Sequence, residues 1–227
     1  MLLTLALQCF AQGVAVTGHV ATYGGATLAT GAAAVVWLTP VSQPGVDAVA
    51  PGPIHAVLRQ KNKSFEPHLL VVTKGSSVEF PNQDPWFHNV FSLFNGKKFD
   101  LGLYEAGTSR TVHFDRDGVS YIFCNIHPEM SAVVMVLSTP YYAAVTKSGD
   151  FAIAGTPPGK YTLHVWSENA LPEALNGLAR QVEIAGTTQS VGTLRVRESE
   201  TAKTQHKNKY GRDYEPPSPG NPVYAQP

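Results

Sequence analysis

Four side chains with metal-binding chemistry occur at close spacing in this sequence. Cys124, His127 and Met130 lie in the stretch YIFCNIHPEM, and His88 lies upstream in PWFHNV. A soft thiolate, two imidazoles and a weak thioether form a donor set that suits both Cu(I) and Cu(II). The sequence therefore predicts a type 1 copper site that holds one copper through His88, Cys124, His127 and Met130.

Each of these residues also has a structural alternative: a strand histidine, a core thiol, a turn histidine or a core methionine. Met135 is a rival thioether, but it stands in the apolar run 132–137, which is typical of a buried strand. A structural zinc site is another alternative, although zinc prefers a fourth hard or thiolate ligand to methionine. The joint spacing of all four residues favours copper.

The sequence lacks the motifs of several enzyme classes. No His-x-His pair is present, as type 3 or trinuclear copper sites require, and the loop has one cysteine where a binuclear purple centre needs two. Phosphate-binding loops, nucleophile elbows and paired carboxylates are also missing. We therefore expect no enzyme activity. We assign five other histidines to surface or strand positions, namely His19, His55, His68, His113 and His164, and we place His206 in a disordered tail.

Short runs of Val, Leu, Phe and Tyr between Gly, Pro, Asn and Asp clusters predict an all-β fold. Residues 168–175 suggest a helical turn that Pro172 cuts short, and the polar, Pro-rich residues 198–227 predict a disordered tail. Strands are predicted almost throughout residues 14–197; examples are Val14–Val20, Ala33–Leu38, His68–Thr73, Phe87–Leu93, Arg110–Phe114, Val119–Cys124, Ala132–Leu137, Phe151–Ala154 and Tyr161–Trp166.

The loop pattern C-x2-H-P-x-M, with His-Asn-Val upstream, resembles the cupredoxins, and among them the short ligand loops of amicyanins. The resemblance implies a cupredoxin Greek-key β-sandwich over residues 54–138 and transfer of single electrons between redox proteins such as a cytochrome or a dehydrogenase. It also implies that Asn89 ties its strand to the cysteine loop and that His127 presents its edge as the electron port.

Aromatic and apolar residues lie near these ligands in sequence: Trp86, Phe87, Ile126 and Pro128. They could form an apolar docking patch around the electron port. The alternative is that the aromatic residues are buried in the core. Glu129 stands where amicyanins carry a hydrophobic residue. The partners of amicyanins therefore do not transfer to this chain by resemblance.

The segments that flank residues 54–138 have a different sequence pattern. Gly-rich turns and the stretch SGDFAIAGTPPGKYTLHVW resemble the two halves of a carboxypeptidase regulatory-like (transthyretin-like) β-sandwich. We expect residues 12–53 and 139–197 to form this sandwich, with the cupredoxin domain either inserted into it or adjacent to it.

The charge balance and the N-terminus bear on location and partners. Lys plus Arg and Asp plus Glu number 17 each, so the sequence lacks the basic field that nucleic acid or anionic membranes attract. Residues 1–11 resemble a signal peptide, with an N-terminal strand as the alternative. We expect a monomer without a transmembrane span, in the periplasm or otherwise outside the cytoplasm.

Two other functions fit the same residues: a copper carrier or storage module, and an envelope-associated binding protein with a secondary copper site. Copper handling usually brings Met-rich or His-rich tracts, and this chain has 3 Met residues and no histidine cluster. Electron transfer is therefore the favoured prediction.

Overall fold

A computed structural model of the chain describes residues 13–23, 28, 32–41, 51–93, 96–199 and 206–214. Strands dominate these residues, and a single short helix accompanies them. The elements are β1 Val14–Thr22, β2 Ala34–Pro40, β3 His55–Val57, β4 Arg59–Lys61, β5 Ser64–Glu66, β6 Leu69–Thr73, β7 Ser76–Pro81, β8 His88–Ser92, β9 Phe99–Tyr104, β10 Ser109–Phe114, β11 Gly118–Phe123, β12 Ser131–Leu137, β13 Tyr142–Ala144, β14 Asp150–Thr156, β15 Gly159–Ser167, α1 Pro172–Asn176, β16 Arg180–Ile184 and β17 Thr188–Val196.

The chain divides into two compact units. The first unit comprises Met1–Ala48 and Tyr141–Lys203, and the second comprises Val49–Pro140 and Thr204–Pro227. In sequence, the long segment of the second unit thus lies between the two segments of the first. The sequence predicts boundaries at residues 54 and 138.

The first unit contains two sheets, in the orders β14-β1-β17 and β13-β2-β15-β16. Strand β1 pairs antiparallel with β14 and parallel with β17. In β14, Phe151 and Ile153 are buried whereas Ala152 and Ala154 are exposed. This period of two is what a strand with one covered face requires.

The second unit is a sandwich of the sheets β10-β7-β3 and β6-β12-β11-β8-β9, with a β4-β5 hairpin beside them. Phe80 and Phe114 from one sheet and Val90 and Val134 from the other belong to a single buried cluster. Strand β12 is central in its sheet, paired with β11 on one side and β6 on the other, and it is buried along almost its whole length. The core therefore lies between the two sheets and extends to the end where β8 begins and β11 ends.

The all-β prediction is confirmed. The interpretation of Pro172 as a residue that cuts a helical turn short was wrong, because α1 begins at Pro172. Proline suits the first helical position, since its fixed φ matches a helix and its missing N–H would have no partner there.

The predicted signal peptide, residues 1–11, lies outside the described residues. In the part of the chain that the structure describes, no helix has the length and apolar character needed to cross a membrane.

Candidate metal centre

The site lies at one end of the second unit, where two neighbouring strands meet a short loop. His88 is the first residue of β8, and Cys124 directly follows β11. These strands pair antiparallel through Phe123 and Phe91. Residues 124–130, here called the ligand loop, connect β11 to β12. Pairing of β11 with β8 therefore brings a histidine from one strand beside a loop that starts on the other.

The ligand loop is closed by its own backbone. The Cys124 amide donates to the Met130 carbonyl at 3.2 Å, and the Met130 amide donates to the His127 carbonyl at 3.1 Å. These bonds fold the loop into a tight turn, which Pro128 favours because its φ is fixed. His127 is consequently directed back toward Cys124.

The structure brings three of the four predicted residues together. Nδ1 of His88 lies 3.1 Å from Nδ1 of His127. The Cys124 sulfur lies 3.9 Å from Nδ1 of His88 and 3.6 Å from Nδ1 of His127. No other group of three or more His, Cys, Asp or Glu side chains within the described residues converges in this way.

The spacing of these donor atoms fits a metal ion. Metal–nitrogen bonds of about 2.0 Å and a metal–sulfur bond of about 2.3 Å, meeting at angles of roughly 100° to 130°, span such separations. Two imidazoles and one thiolate are the donor set of a trigonal His2Cys copper centre. The residues present therefore fit copper.

Met130 is fully buried and belongs to the same buried cluster as Cys124. It ends the ligand loop and is joined to Cys124 through the backbone bond given above. Met135, the rival thioether, is also buried, but it lies within β12 opposite Val119 and Val71. Its position is that of a central strand residue, as expected from the apolar run around it.

A carboxylate not singled out in the sequence controls the orientation of His88. Asp84 is buried, and its Oδ2 accepts a hydrogen bond from Nε2 of His88 at 2.7 Å. The Asp84 carboxylate can only accept here, so Nε2 of His88 carries the proton. Nδ1 of His88 is then unprotonated, and its lone pair is available to a metal ion. The spacing Asp84 to His88 gave no usable signal, because the intervening Pro85 breaks any regular periodicity.

Asp84 is itself anchored by the β4-β5 turn. The backbone amides of Asn62 and Lys63 donate to its carboxylate at 2.6 Å and 2.9 Å. Burial alone would raise the pKa of Asp84, but the hydrogen bonds from Lys63, His88 and Asn62 outweigh it and lower that pKa. Asp84 is therefore ionised at neutral pH.

Burial also sets the protonation of the other groups. It lowers the pKa of His88, and it lowers the pKa of His127 to about 4, with the nearby His88 adding to the effect. Both rings are thus neutral at pH 7, as metal ligands must be. Burial raises the pKa of the Cys124 thiol, so binding of a metal must displace its proton.

Asn89 contacts the cysteine through its backbone rather than its side chain. Its amide donates to the Cys124 sulfur, as do the amides of Ile126 and His127. The Asn89 side chain instead donates to Asp100 at 2.8 Å. Asn89 thus connects its strand to Cys124, but through its main-chain amide.

The residues around His127 differ in exposure. Phe87 is 45% exposed, Pro128 is exposed, and Ile126 is partly buried against the core. Trp86 is partly buried, with the ammonium of Lys63 5.0 Å from the centre of its ring. Of the two aromatics, Phe87 suits a docking patch, whereas Trp86 is shared between core and surface.

Part of the tail contacts the ligand loop, which its composition did not indicate. Composition predicts disorder from residue 198 onward, yet residues 206–214 make hydrogen bonds to the loop. The hydroxyl of Tyr214 donates to the Cys124 carbonyl at 2.7 Å, and Nε2 of His206 donates to the Pro128 carbonyl at 2.6 Å. His206, assigned above to a structureless tail, thus lies beside the site.

No protein-family model and no curated protein sequence matches the chain. Among solved structures, it is similar to the copper-containing nitrite reductase (NirK) from Thermus scotoductus SA-01, at 24% identity and a TM-score of 0.35, over 44% of this chain and 25% of that one. The chain thus spans about a quarter of the length of that reductase.

It is also similar to a purple cupredoxin from Nitrosopumilus maritimus, at 23% identity and a TM-score of 0.33, over 36% of this chain and 99% of that one. A mutant of amicyanin in its oxidised state matches at 21% identity and a TM-score of 0.35, over 37% of this chain and 82% of that one. Each of these three matches covers less than half of this chain.

Proposed function

We propose that this protein holds one type 1 copper through His88, Cys124 and His127, with Met130 as the weak axial ligand, and carries single electrons between redox proteins outside the cytoplasm. The observation that carries the proposal is the convergence of two imidazole Nδ1 atoms and one thiol sulfur within 4.8 Å of one another. Copper bound there would accept and release one electron.

Burial of the donors supports electron transfer over catalysis. Cys124, Met130 and His88 are all fully buried, and His127 alone is partly exposed. Donors enclosed in this way have little access to solvent, whereas a catalytic metal keeps an open coordination position. We therefore propose that the protein is not an enzyme.

Rigid support of the donors points in the same direction. His88 is held by Asp84, and the Cys124 sulfur accepts hydrogen bonds from the amides of Asn89, Ile126 and His127. Ligands held in place on strand ends and by outer hydrogen bonds need little movement when the charge of the metal changes. Small rearrangement is the property that makes electron transfer fast.

The route to a partner runs through His127 in this proposal. His127 is the proposed ligand that is partly exposed, and the exposed Pro128 follows it in the loop. The exposed Phe87 precedes His88, whose Nδ1 lies 3.1 Å from that of His127. A small apolar surface of this kind suits brief encounters with another redox protein. Export from the cytoplasm belongs to the same proposal and rests on residues 1–11.

The test is spectroscopic. Purified protein loaded with Cu(II) should show an intense visible copper–thiolate charge-transfer band, and Cys124→Ala should lose the band while staying folded. A colourless wild-type protein, or a band that survives in Cys124→Ala, would refute the copper assignment.

A second measurement separates electron transfer from copper carriage. Reversible one-electron voltammetry with fast self-exchange supports an electron carrier. Rapid loss of copper to a competing chelator, with slow self-exchange, would instead indicate a carrier or storage module and would refute the proposed role.

A further inference from the structure

Residues 206–214, here called the C-terminal segment, add hydrogen bonds to the ligand loop. The loop's internal bonds occupy the carbonyls of His127 and Met130. Two further loop carbonyls, those of Cys124 and Pro128, accept from Tyr214 and His206. The segment therefore satisfies acceptors that the loop's own turn leaves open.

The C-terminal segment has a fold of its own that makes this contact possible. The side-chain oxygen of Asn208 accepts from the amides of Tyr210 and Arg212, and the Asn208 amide donates to the Arg212 carbonyl at 2.9 Å. Gly211 closes the turn with a φ of 74°. This turn brings the Tyr214 hydroxyl within 3.0 Å of Nδ1 of His206.

Stacking and a side-chain amide attach the same segment to the loop at two more points. The ring of His206 stacks on Phe123, the residue before Cys124, with centres 4.1 Å apart. The backbone amide of Lys209 donates to Oδ1 of Asn125 at 2.9 Å. Four separate contacts thus bind the segment to residues 123–128.

The C-terminal segment is also linked to β8, the strand that carries His88. The Lys209 ammonium lies 2.8 Å from Oδ2 of Asp100, and Oδ1 of Asp100 accepts from the Asn89 side chain at 2.8 Å. Asn89 follows His88 in β8. The segment therefore bridges the loop with three of the proposed ligands and the strand with the fourth.

We propose that the C-terminal segment is a brace of the copper site, in which Tyr214, His206 and Lys209 are positioning residues that hold the ligand loop against β8. This inference rests on the proposed function. A braced loop keeps its donors together without metal and opposes the opening motion that releases copper. It also directs the Tyr214 hydroxyl dipole at the Cys124 carbonyl, where it favours the electron-rich reduced site.

Tyr214→Phe in the full chain tests the brace, because it removes the hydroxyl and keeps the ring. Protein loaded with Cu(II) is mixed with excess EDTA, and loss of the charge-transfer band is followed in time. Loss of one hydrogen bond of ordinary strength predicts copper release about fivefold faster than in the wild type. The reduction potential should fall as well, a change that loss of remote packing would not produce.

Tyr23→Phe is the matched control. It is the same substitution at a tyrosine that is 59% exposed and belongs to the first unit, outside the C-terminal segment. Its copper release and potential should equal those of the wild type. Lys209→Met is a second variant, which breaks the link to Asp100 at the surface and should also speed copper release.

The outcomes separate the two proposals. If the wild type is blue but Tyr214→Phe and Lys209→Met release copper at the wild-type rate and keep its potential, the brace is refuted and the copper site stands. If the wild type shows no charge-transfer band, the proposed function itself fails. Faster release and a lower potential in Tyr214→Phe, with Tyr23→Phe unchanged, support the brace.

Discussion

Replacement of Asp84 by asparagine should weaken the copper site although Asp84 is not among the proposed ligands. The Asp84 carboxylate accepts from Nε2 of His88 and from the amides of Asn62 and Lys63, so all three recorded partners are donors. An asparagine of the same shape has one accepting oxygen and an NH2 group. In Asp84→Asn at least one donor must therefore face another donor in a buried position.

The magnitude follows from that mismatch. Losing a charge-assisted hydrogen bond and burying an unsatisfied donor costs on the order of 2–3 kcal/mol, so the free energy of unfolding of the metal-free protein should fall by about that amount. Outer partners of metal-bound histidines typically contribute about 10- to 100-fold to metal affinity. Cu(II) affinity should fall within that range.

The sign of the redox change follows from charge. Removing a negative charge beside the site destabilises Cu(II) more than Cu(I), so the reduction potential of Asp84→Asn should rise. Urea unfolding of the metal-free protein, competition with a chelator of known affinity and voltammetry measure the three effects.

Asp150→Asn is a matched control, because Asp150 also pairs with a histidine, His19, at 2.8 Å, but at an exposed position in the first unit. It should leave copper affinity and potential at their wild-type values. A folded Asp84→Asn protein with wild-type affinity and potential would refute the role assigned to this carboxylate.

Two further predictions concern the proposed ligands. Met130→Leu should keep the fold, because the change conserves volume, but it should change the reduction potential and the visible spectrum. Met135→Leu, the same change at another buried methionine, should alter neither. Equal spectra in the two variants would contradict axial ligation by Met130. In the metal-free protein, His127 has its pKa lowered to about 4, so the unfolded state binds more protons below the ordinary value of about 6.5 and the free energy of unfolding decreases as the pH falls. Between pH 7 and pH 5 this residue should account for about 1–2 kcal/mol of the decrease, allowing for its partial exposure; His127→Gln should show a correspondingly smaller decrease in urea unfolding, and an unchanged decrease would contradict the shift.

The sequence predicted strands almost throughout residues 14–197, and each apolar run given as an example lies on a strand of the structure. The runs that became β1, β12 and β15 were predicted, because continuous or alternating apolar residues reveal a covered strand. Strands such as β7 Ser76–Pro81 and β9 Phe99–Tyr104 were covered only by the general prediction for residues 14–197, because composition fixes neither the ends of a strand nor its pairing partner.

The sequence by itself determined the donor set, because Cys124, His127 and Met130 share one seven-residue loop whose spacing is visible without a fold. Only the tertiary structure brought His88 to that loop, through pairing of β11 with β8, and set its lone pair through Asp84 and the β4-β5 turn. It likewise placed His206 and Tyr214 on the loop carbonyls, about 80 to 90 residues away along the chain. Such contacts depend on long-range packing and on a local turn at Asn208, neither of which composition or periodicity records.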